Sequence, residues 1–259
     1  MENMSGMFIK FLRPEHVTEF LDGSLFFMNI GYFIELEKEE EEKGLDKKGY
    51  GDKYEGHLFR FFDPENNIFQ IKIDGEYHTL PFKKGRAVES REGIRSLLIN
   101  CFTLIKYEDS TDNSDFYLDY HEDLGEVYKV KPSVLDILEK EFEGRIPVLI
   151  HNTELFMKRF EAKTENIRCK NGPVVYFDEN SNFPLSLEEV NKDFANTLLC
   201  KRKFYENQKE YRFILENPKG LDCLKVEIGD LRDCARQLES IQDLKGLFIT
   251  TEATEEHSV

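Results

Sequence analysis

The chain has 259 residues, which is long enough to bury a substantial core in one large domain or in two closely packed small ones. Its 35 Lys and Arg residues stand against 51 Asp and Glu residues, and the formal net charge of −16 disfavours direct binding to DNA because like charges repel. Five scattered cysteines without a Cys-x-x-Cys pair, and the lack of an apolar run of membrane-spanning length, predict a reduced, cytoplasmic protein that does not contact the membrane.

The first 56 residues predict a strand, a short helix, a second strand, an amphipathic helix and a loop. The apolar run Met7 to Leu12 favours a strand, Pro14 suits the first position of a helix, and Gly23 suits its exit. SLFFMN predicts the second strand, and the segment from Ile30 to about Glu42 predicts a helix with an acidic, solvated face. Residues 43–56, KGLDKKGYGDKYEG, combine glycines with dense charge and predict a mobile loop.

The middle of the chain predicts mainly strands. HLFRFF, NIFQIKI and EYHTL each favour a strand, and the dipeptide Asp74-Gly75 predicts a tight hairpin turn between the last two. The run from Ile94 to Tyr107 is apolar enough for a buried strand, and RIPVLIHN and GPVVYFDEN predict two more. One helix is predicted from Lys131 to Gly144.

The last third predicts two helices and three strands. One helix begins at Ser186, whose spacing to Glu189 forms a capping-box pattern, and ends near Thr197 to Lys201. KEYRFIL, CLKVEIG and GLFITT predict late strands, with DLRDCARQLESI as a helix between the last two. Clustered strands without a steady strand–helix alternation predict a single α+β domain over residues 1–259, with mixed, largely antiparallel sheets and peripheral helices.

The segment ENQKEYRFIL, residues 206–215, carries the main functional hypothesis. In a strand of period two, Gln208, Glu210 and Arg212 share one face. One interpretation is a surface ion pair at the start of a strand. The other is a site in which Glu210 hydrogen-bonds a ribose hydroxyl and stabilises positive charge that develops on a sugar carbon, while Gln208 orients the acceptor.

A Gln-x-Glu pair at the start of a late strand resembles the catalytic signature of the ADP-ribosyltransferase superfamily. The opening parts FIKFL, PEHVTEFL, DGSL and FFMN are similar to the start of that superfamily, in which a first strand carries an Arg or His that binds the nicotinamide side of NAD. Lys10 falls at that position. The opening and the E-Y-R of residues 210–212 also resemble an uncharacterised prokaryotic family linked to phage defence, whose members begin with an LYKY-like strand. The resemblance covers residues 1 to about 35 and residues 200–216.

The resemblance implies an ADP-ribosyltransferase-like fold with NAD or a related nucleotide as cofactor. It also implies transfer of ADP-ribose to a macromolecule, or hydrolysis of NAD, in phage–host conflict. Under this hypothesis Glu210 and Gln208 are catalytic, and Lys10 and Arg212 bind the dinucleotide.

Two further segments offer candidate binding residues. Tyr54 and Glu55 belong either to a solvated charged loop or to a segment that closes over a nucleotide and contacts its base and ribose. Lys203, in the basic segment CKRK, suits either a pyrophosphate or the C-terminal end of the preceding helix. The histidines and cysteines lack the spacing of a metal site, so no metal is predicted.

Two other functions fit the same sequence. A non-catalytic interaction protein from a phage or defence locus, such as an inhibitor or a nucleic-acid mimic that occupies a basic groove, would use the acidic charge directly. A sensor domain that binds a nucleotide without turning it over is the third hypothesis.

Overall fold

The computed structural model describes residues 6–42, 51–63, 65–91, 93–108, 114–217 and 219–250. The first half contains β1 (Gly6–Leu12), α1 (Val17–Leu21), β2 (Ser24–Asn29), α2 (Ile30–Glu42), β3 (Leu58–Phe62), β4 (Phe69–Ile73), β5 (Glu76–Leu80), β6 (Gly85–Glu89), β7 (Leu98–Lys106), β8 (Phe116–His121) and β9 (Gly125–Val130). The second half contains α3 (Pro132–Glu141), β10 (Ile146–Ile150), α4 (Thr153–Thr164), β11 (Cys169–Pro173), β12 (Val175–Phe177), α5 (Leu187–Lys192), β13 (Cys200–Arg202), β14 (Glu210–Leu215), β15 (Cys223–Glu227), β16 (Ala235–Gln237) and β17 (Phe248–Ile249). Short 3₁₀ helices cover Pro14–His16, Ile94–Ser96, Phe194–Leu199, Lys203–Gln208 and Ile241–Gly246.

The central sheet is built around β7 and forks there. Its strands follow the order β11, β14, β7, β1, β10, β16, and β2 pairs with both β7 and β15. Along one edge, β7 pairs with β14 from Leu98 to Thr103. Along the other edge, residues 103–106 pair with β1, whereas residues 98–99 pair with the end of β2. Residues 100–102 lie between these branches without a strand partner on that edge in the described chain, and we call this opening the fork.

Apolar residues cover both faces of the central sheet, because successive side chains of a strand point to opposite sides. Phe8 of β1 belongs to one buried cluster, which includes Phe156 of α4. The next residue, Ile9, belongs to the cluster on the other face, which includes Leu135 of α3. Each such side chain contributes about 1.5–3 kcal/mol when it is fully buried, so α3 and α4 are held against opposite faces of the sheet.

The predicted α+β class with largely antiparallel sheets is confirmed. All pairings of the central sheet are antiparallel, as are those of β3 with β6, β4 with β5, and β9 with both β8 and β17. The short pair of β12 and β13 is parallel. The predicted hairpin turn is also present, with Asp74 at φ 49° and Gly75 at φ 91°, as a type I′ turn requires.

Two predicted helices differ from the structure. The helix predicted for DLRDCARQLESI is wrong, because this segment forms a turn followed by β16, which pairs with the edge of β10 and buries Cys234 and Ala235. The helix that begins at Ser186 has the predicted capping box, but it ends at Lys192. It ends there because Asp193 is extended, with φ −156° and ψ 102°, and a 3₁₀ helix follows.

The predicted mobile loop only partly overlaps the described residues, since 43–50 lie outside them. Residues 51–56 pack closely against the protein, and the side chains of Asp52 and Glu55 are buried. The Asp52 N–H donates a hydrogen bond to the Phe33 carbonyl of α2 at 3.1 Å. This part of the segment is therefore a fixed wall of the fold. Within the described ranges, no helix is long and apolar enough to span a membrane.

Candidate functional site

A cavity of about 330 Å³ opens at the fork. Strands β1, β2, β7 and β14 supply its walls together with α2 and part of the 51–56 segment, and its apolar lining includes Phe26, Met28, Tyr32 and Phe33. Its charged lining residues are Lys10, Arg13, Glu55, Arg145, Lys201, Glu210 and Arg212. Cations therefore outnumber carboxylates here, although the whole chain has a net charge of −16, and the cavity suits an anionic ligand.

Asn100 of β7 connects the two branches of the fork. Its Oδ1 accepts a hydrogen bond from Lys10 Nζ of β1 at 2.6 Å, and its Nδ2 donates to the Phe26 carbonyl of β2 at 2.9 Å. Lys10 Nζ also donates to the Cys101 carbonyl at 2.6 Å, on the stretch of β7 that lacks a strand partner. A buried amide thus satisfies polar groups that the split in the sheet leaves unpaired.

Lys10 lines the cavity, and the pKa of its ammonium group is unusually low. Burial lowers the pKa of Lys10 to about 8, although the nearby Cys101 and the Glu210 carboxylate oppose this shift. The ammonium also lies 4.8 Å from the centroid of the Phe102 ring, which favours the charged form. A fraction of Lys10 is therefore uncharged near neutral pH.

The carboxylate of Glu210, at the start of β14, is held through both of its oxygens. Oε1 accepts from the Lys201 ammonium, and Oε2 accepts from Arg212 Nε at 2.7 Å. Burial raises the pKa of Glu210, but the positive charges of Arg212 and Lys201 outweigh burial and lower it to about 2. The Glu210 N–H also hydrogen-bonds to Tyr176 Oη at 2.7 Å. Glu210 is therefore ionised at neutral pH and fixed in place beside the cavity.

Arg212 links Glu210 to the 51–56 segment. Its Nη1 and Nη2 donate to the two oxygens of Glu55 at 2.6 and 3.0 Å, and Nη1 also donates to the Leu198 carbonyl at 2.6 Å. Such a bidentate pair fixes the guanidinium plane. The side chain of Arg212 is 1 % exposed. In this arrangement Arg212 positions Glu210 and is not presented to a ligand.

Gln208 lies outside the strand on which its position was predicted. It ends a 3₁₀ helix, and Lys209 follows in the left-handed conformation with φ 47°, so that β14 begins only at Glu210. Gln208 nevertheless meets the same cluster, because its Oε1 accepts from Lys201 Nζ at 2.9 Å. Its carbonyl accepts from Thr103 Oγ1 at 3.0 Å. The amide oxygen is thus hydrogen-bonded, and the Nε2 group carries two further donors.

A second buried ion cluster holds the 51–56 segment against α2. Arg202 Nε donates to Asp52 Oδ1 at 2.9 Å, and Nη2 donates to both oxygens of Glu37 at 2.7 and 2.8 Å. The hydroxyl of Tyr205 donates to the Gly51 carbonyl at 2.6 Å. These contacts fix the 51–56 segment against α2, and the segment thereby holds Glu55 in place beside Arg212.

The structure brings most of the predicted site residues together. Lys10, Glu55, Gln208, Glu210 and Arg212 all line the cavity. The first interpretation, a surface ion pair at the start of this strand, does not hold, because all six residues of β14 are buried.

Tyr54 and Lys203 lie elsewhere. Tyr54 is outside the cavity lining and packs against Phe59, with 5.2 Å between ring centroids, and beneath the Arg202 guanidinium. Lys203 is exposed and also outside the lining. Nucleotide contacts by these two residues stay predictions.

Two residues of the site were missed or given another role. Asn100 was not predicted, although a single amide inside the apolar run LLINCF is a signal of a buried hydrogen-bonding role. Lys201 was grouped with the basic segment CKRK, whereas its side chain is 3 % exposed and its ammonium joins Gln208 to Glu210.

The described residues contain no group of three or more His, Cys, Asp or Glu side chains placed to hold a metal ion. Comparisons of the chain with models of protein families, with curated proteins and with solved structures each found no match.

Proposed function

We propose that the protein binds NAD or a related nucleotide in the cavity at the fork and cleaves the bond between ribose and nicotinamide. ADP-ribose then passes to water or to a macromolecule. The observation that carries this proposal is the pairing of an ionised, immobilised Glu210 with a cationic cavity in an otherwise acidic protein. The positive lining attracts a pyrophosphate, and the carboxylate supplies the negative charge that the reaction needs.

The proposed chemistry uses Glu210 to stabilise charge. When nicotinamide leaves, positive charge develops on the anomeric carbon and ring oxygen of the ribose, and a fixed carboxylate lowers the energy of this transition state. Because Arg212 and Lys201 keep Glu210 ionised, no proton has to leave it before the reaction. Gln208 offers Nε2 to the oxygen of the attacking acceptor.

Binding of the nucleotide depends on the remaining cations. Lys10 is linked to both branches of the fork through Asn100, and Arg13 and Arg145 line the same cavity. Arg212 acts by holding Glu210, which revises its predicted role as a ligand of the dinucleotide. The apolar wall of Phe26, Tyr32 and Phe33 suits an aromatic base.

The test is to incubate the purified protein with NAD and to measure the released nicotinamide by chromatography. We expect Glu210→Gln to lower the rate by about 10²-fold or more, since this change removes the charge but keeps the shape. Glu216→Gln is the matched control, because Glu216 follows β14, is exposed and pairs with Arg168. Circular dichroism and thermal unfolding verify that both variants fold.

NAD labelled in the adenylate part, incubated with lysate proteins, distinguishes transfer from hydrolysis. Binding of NAD by calorimetry without release of nicotinamide under any condition would instead support a sensor domain. Neither binding nor release, with and without lysate, overturns the proposal.

An interaction protein is a second candidate function, favoured by the exposed hairpin of β4 and β5. Phe69, Ile71 and Ile73 alternate along β4 onto one face of this hairpin and are 37–49 % exposed. A large exposed apolar patch often marks a contact with another macromolecule. Salt-sensitive capture of a basic nucleic-acid-binding protein that Ile71→Lys abolishes, together with no turnover of NAD, would favour this function.

A further inference from the structure

The nitrogen of Lys10 has a geometry that suits covalent chemistry. Two of its positions are occupied by hydrogen bonds to Asn100 Oδ1 and to the Cys101 carbonyl, both at 2.6 Å. Among the described residues no third acceptor contacts it, while Lys10 lines the cavity. When the amine is uncharged, its two N–H groups satisfy these two oxygens, and its lone pair takes the remaining tetrahedral position.

The environment of Lys10 also favours the nucleophilic form of the amine. Burial lowers its pKa to about 8, whereas an exposed lysine has a pKa near about 10.4. Below both values, Lys10 therefore presents about 10²-fold more uncharged amine than a lysine on the surface. The other charged or titratable residues that line the cavity are Arg13, Tyr32, Glu55, Cys101, Arg145, Lys201, Glu210 and Arg212.

The cavity restricts which electrophile could reach this amine. Its volume of about 330 Å³ accommodates a small molecule, and its excess of cations favours a negatively charged one. A phosphorylated aldehyde or ketone combines an anionic group with a carbon that amines attack.

We propose that Lys10 condenses with the carbonyl carbon of a small anionic aldehyde or ketone, such as a sugar phosphate, to form an imine. The nitrogen lone pair forms a bond to the carbonyl carbon, and the C–O bond of the resulting carbinolamine then breaks. The nitrogen gives up two protons, the oxygen leaves as water, and nothing is oxidised or reduced. This reaction needs no cleavage of NAD, so it stands or fails independently of the proposed function.

The test uses ribose 5-phosphate as the probe and sodium cyanoborohydride as the reductant that converts an imine to a stable secondary amine. The intact protein is incubated at pH values from about 6 to about 10, and the label on each lysine is quantified by peptide mapping. We expect Lys10 to be labelled at least about 10-fold more than any other lysine near pH 8, with half-maximal labelling at a pH of about 8. Inorganic phosphate should compete with this labelling.

Three controls sharpen the test. Ribose, which has the same carbonyl group but no phosphate, should label Lys10 at least about 10-fold less, because the cationic lining contributes nothing to its binding. Lys10→Arg keeps a positive charge but should lose the label, whereas Lys225→Arg, an exposed lysine beside Glu19, should keep it. The peptide map of the unaltered protein decides the matter even if Lys10→Arg fails to fold. Equal labelling of Lys10 and surface lysines, or no preference for the phosphorylated sugar, overturns the proposal.

Discussion

Arg212 is the residue on which the buried part of the site depends, because its guanidinium neutralises both Glu55 and Glu210. All three side chains are less than a tenth exposed. Removing one partner of a buried ion cluster leaves a charge without solvent or counter-ion, and this costs more than the pair itself contributes.

We therefore expect Arg212→Met to lower the free energy of unfolding by about 3–5 kcal/mol in a urea titration. Arg95→Met is the matched control, because Arg95 pairs with Glu35 on the surface and both side chains are about half exposed. Its cost should be about 0–1 kcal/mol. Equal losses for the two variants would contradict the role assigned to Arg212.

The two-residue alternation of side chains along a strand predicted the pairing of Glu210 with Arg212, but it could not predict the role of Asn100. Glu210 and Arg212 do share a face of β14, as alternation along a strand requires, and they bind each other. Asn100 acts by hydrogen bonding to both β1 and β2. These strands come together at β7 only through contacts between residues far apart in the chain. Gln208 contacts the same cluster, but not through the strand alternation from which it was predicted. The left-handed Lys209 separates it from β14.

The element that positions Glu55 is the 51–56 segment, and Gly51 lies directly against the backbone of α2. A Cβ atom at Gly51 would lie 2.5 Å from the Glu37 nitrogen and 2.7 Å from the Phe33 carbonyl oxygen. Both are backbone atoms of a helix, so neither can move aside without distorting it.

We expect Gly51→Ala to displace this segment and to lower the free energy of unfolding by about 1–3 kcal/mol, the range typical of overpacking. If the proposed function is correct, release of nicotinamide should fall as well, because Glu55 holds Arg212. Gly246→Ala is the control, since a Cβ there meets nothing within 4 Å. Unchanged stability of Gly51→Ala would show that α2 and the segment are not in contact in solution.

At the level of elements, local patterns predicted α1, α2, α3 and α5 but missed the strands β6, β8 and β9. The capping box at Ser186 and the turn at Asp74-Gly75 were correct because both are set by neighbouring residues. The helix predicted over β16 was wrong because pairing with β10, a distant strand, prevailed over a helical spacing of apolar residues. Helix α4 was not predicted, although its N-cap Asn152 accepts from the Leu155 N–H at 3.0 Å.

Across the whole molecule, charge is distributed unevenly. The chain carries −16, yet the cavity at the fork has more cations than carboxylates. Charges of one sign on the surface repel each other in the folded state, and dissolved salt screens this repulsion.

We expect the melting temperature to rise when NaCl increases from about 10 to about 100 mM, because the Debye length falls from about 30 to about 10 Å. A relief of about 1 kcal/mol corresponds to a shift of about 2–4 °C for a domain of this size. Replacing the exposed Glu122, Asp123 and Glu126 by Lys makes the net charge less negative. It should therefore reduce the salt-dependent rise in melting temperature, measured by scanning calorimetry. A melting temperature that falls with salt would mean that surface ion pairs outweigh the repulsion.

The fork also leaves the strands of the central sheet joined to β7 by ladders of unequal length. Strand β14 is paired with β7 over six residues, whereas β2 reaches β7 only through Met28 and Asn29 in the described ladder. The ribbon of β2 and β15 is therefore held to the sheet less by backbone pairing with β7 than by its buried side chains Leu25, Phe27 and Val226, which belong to the same cluster as Phe8. A molecule lodged between the branches would clamp that ribbon, and its binding would be recorded as slower amide hydrogen exchange there.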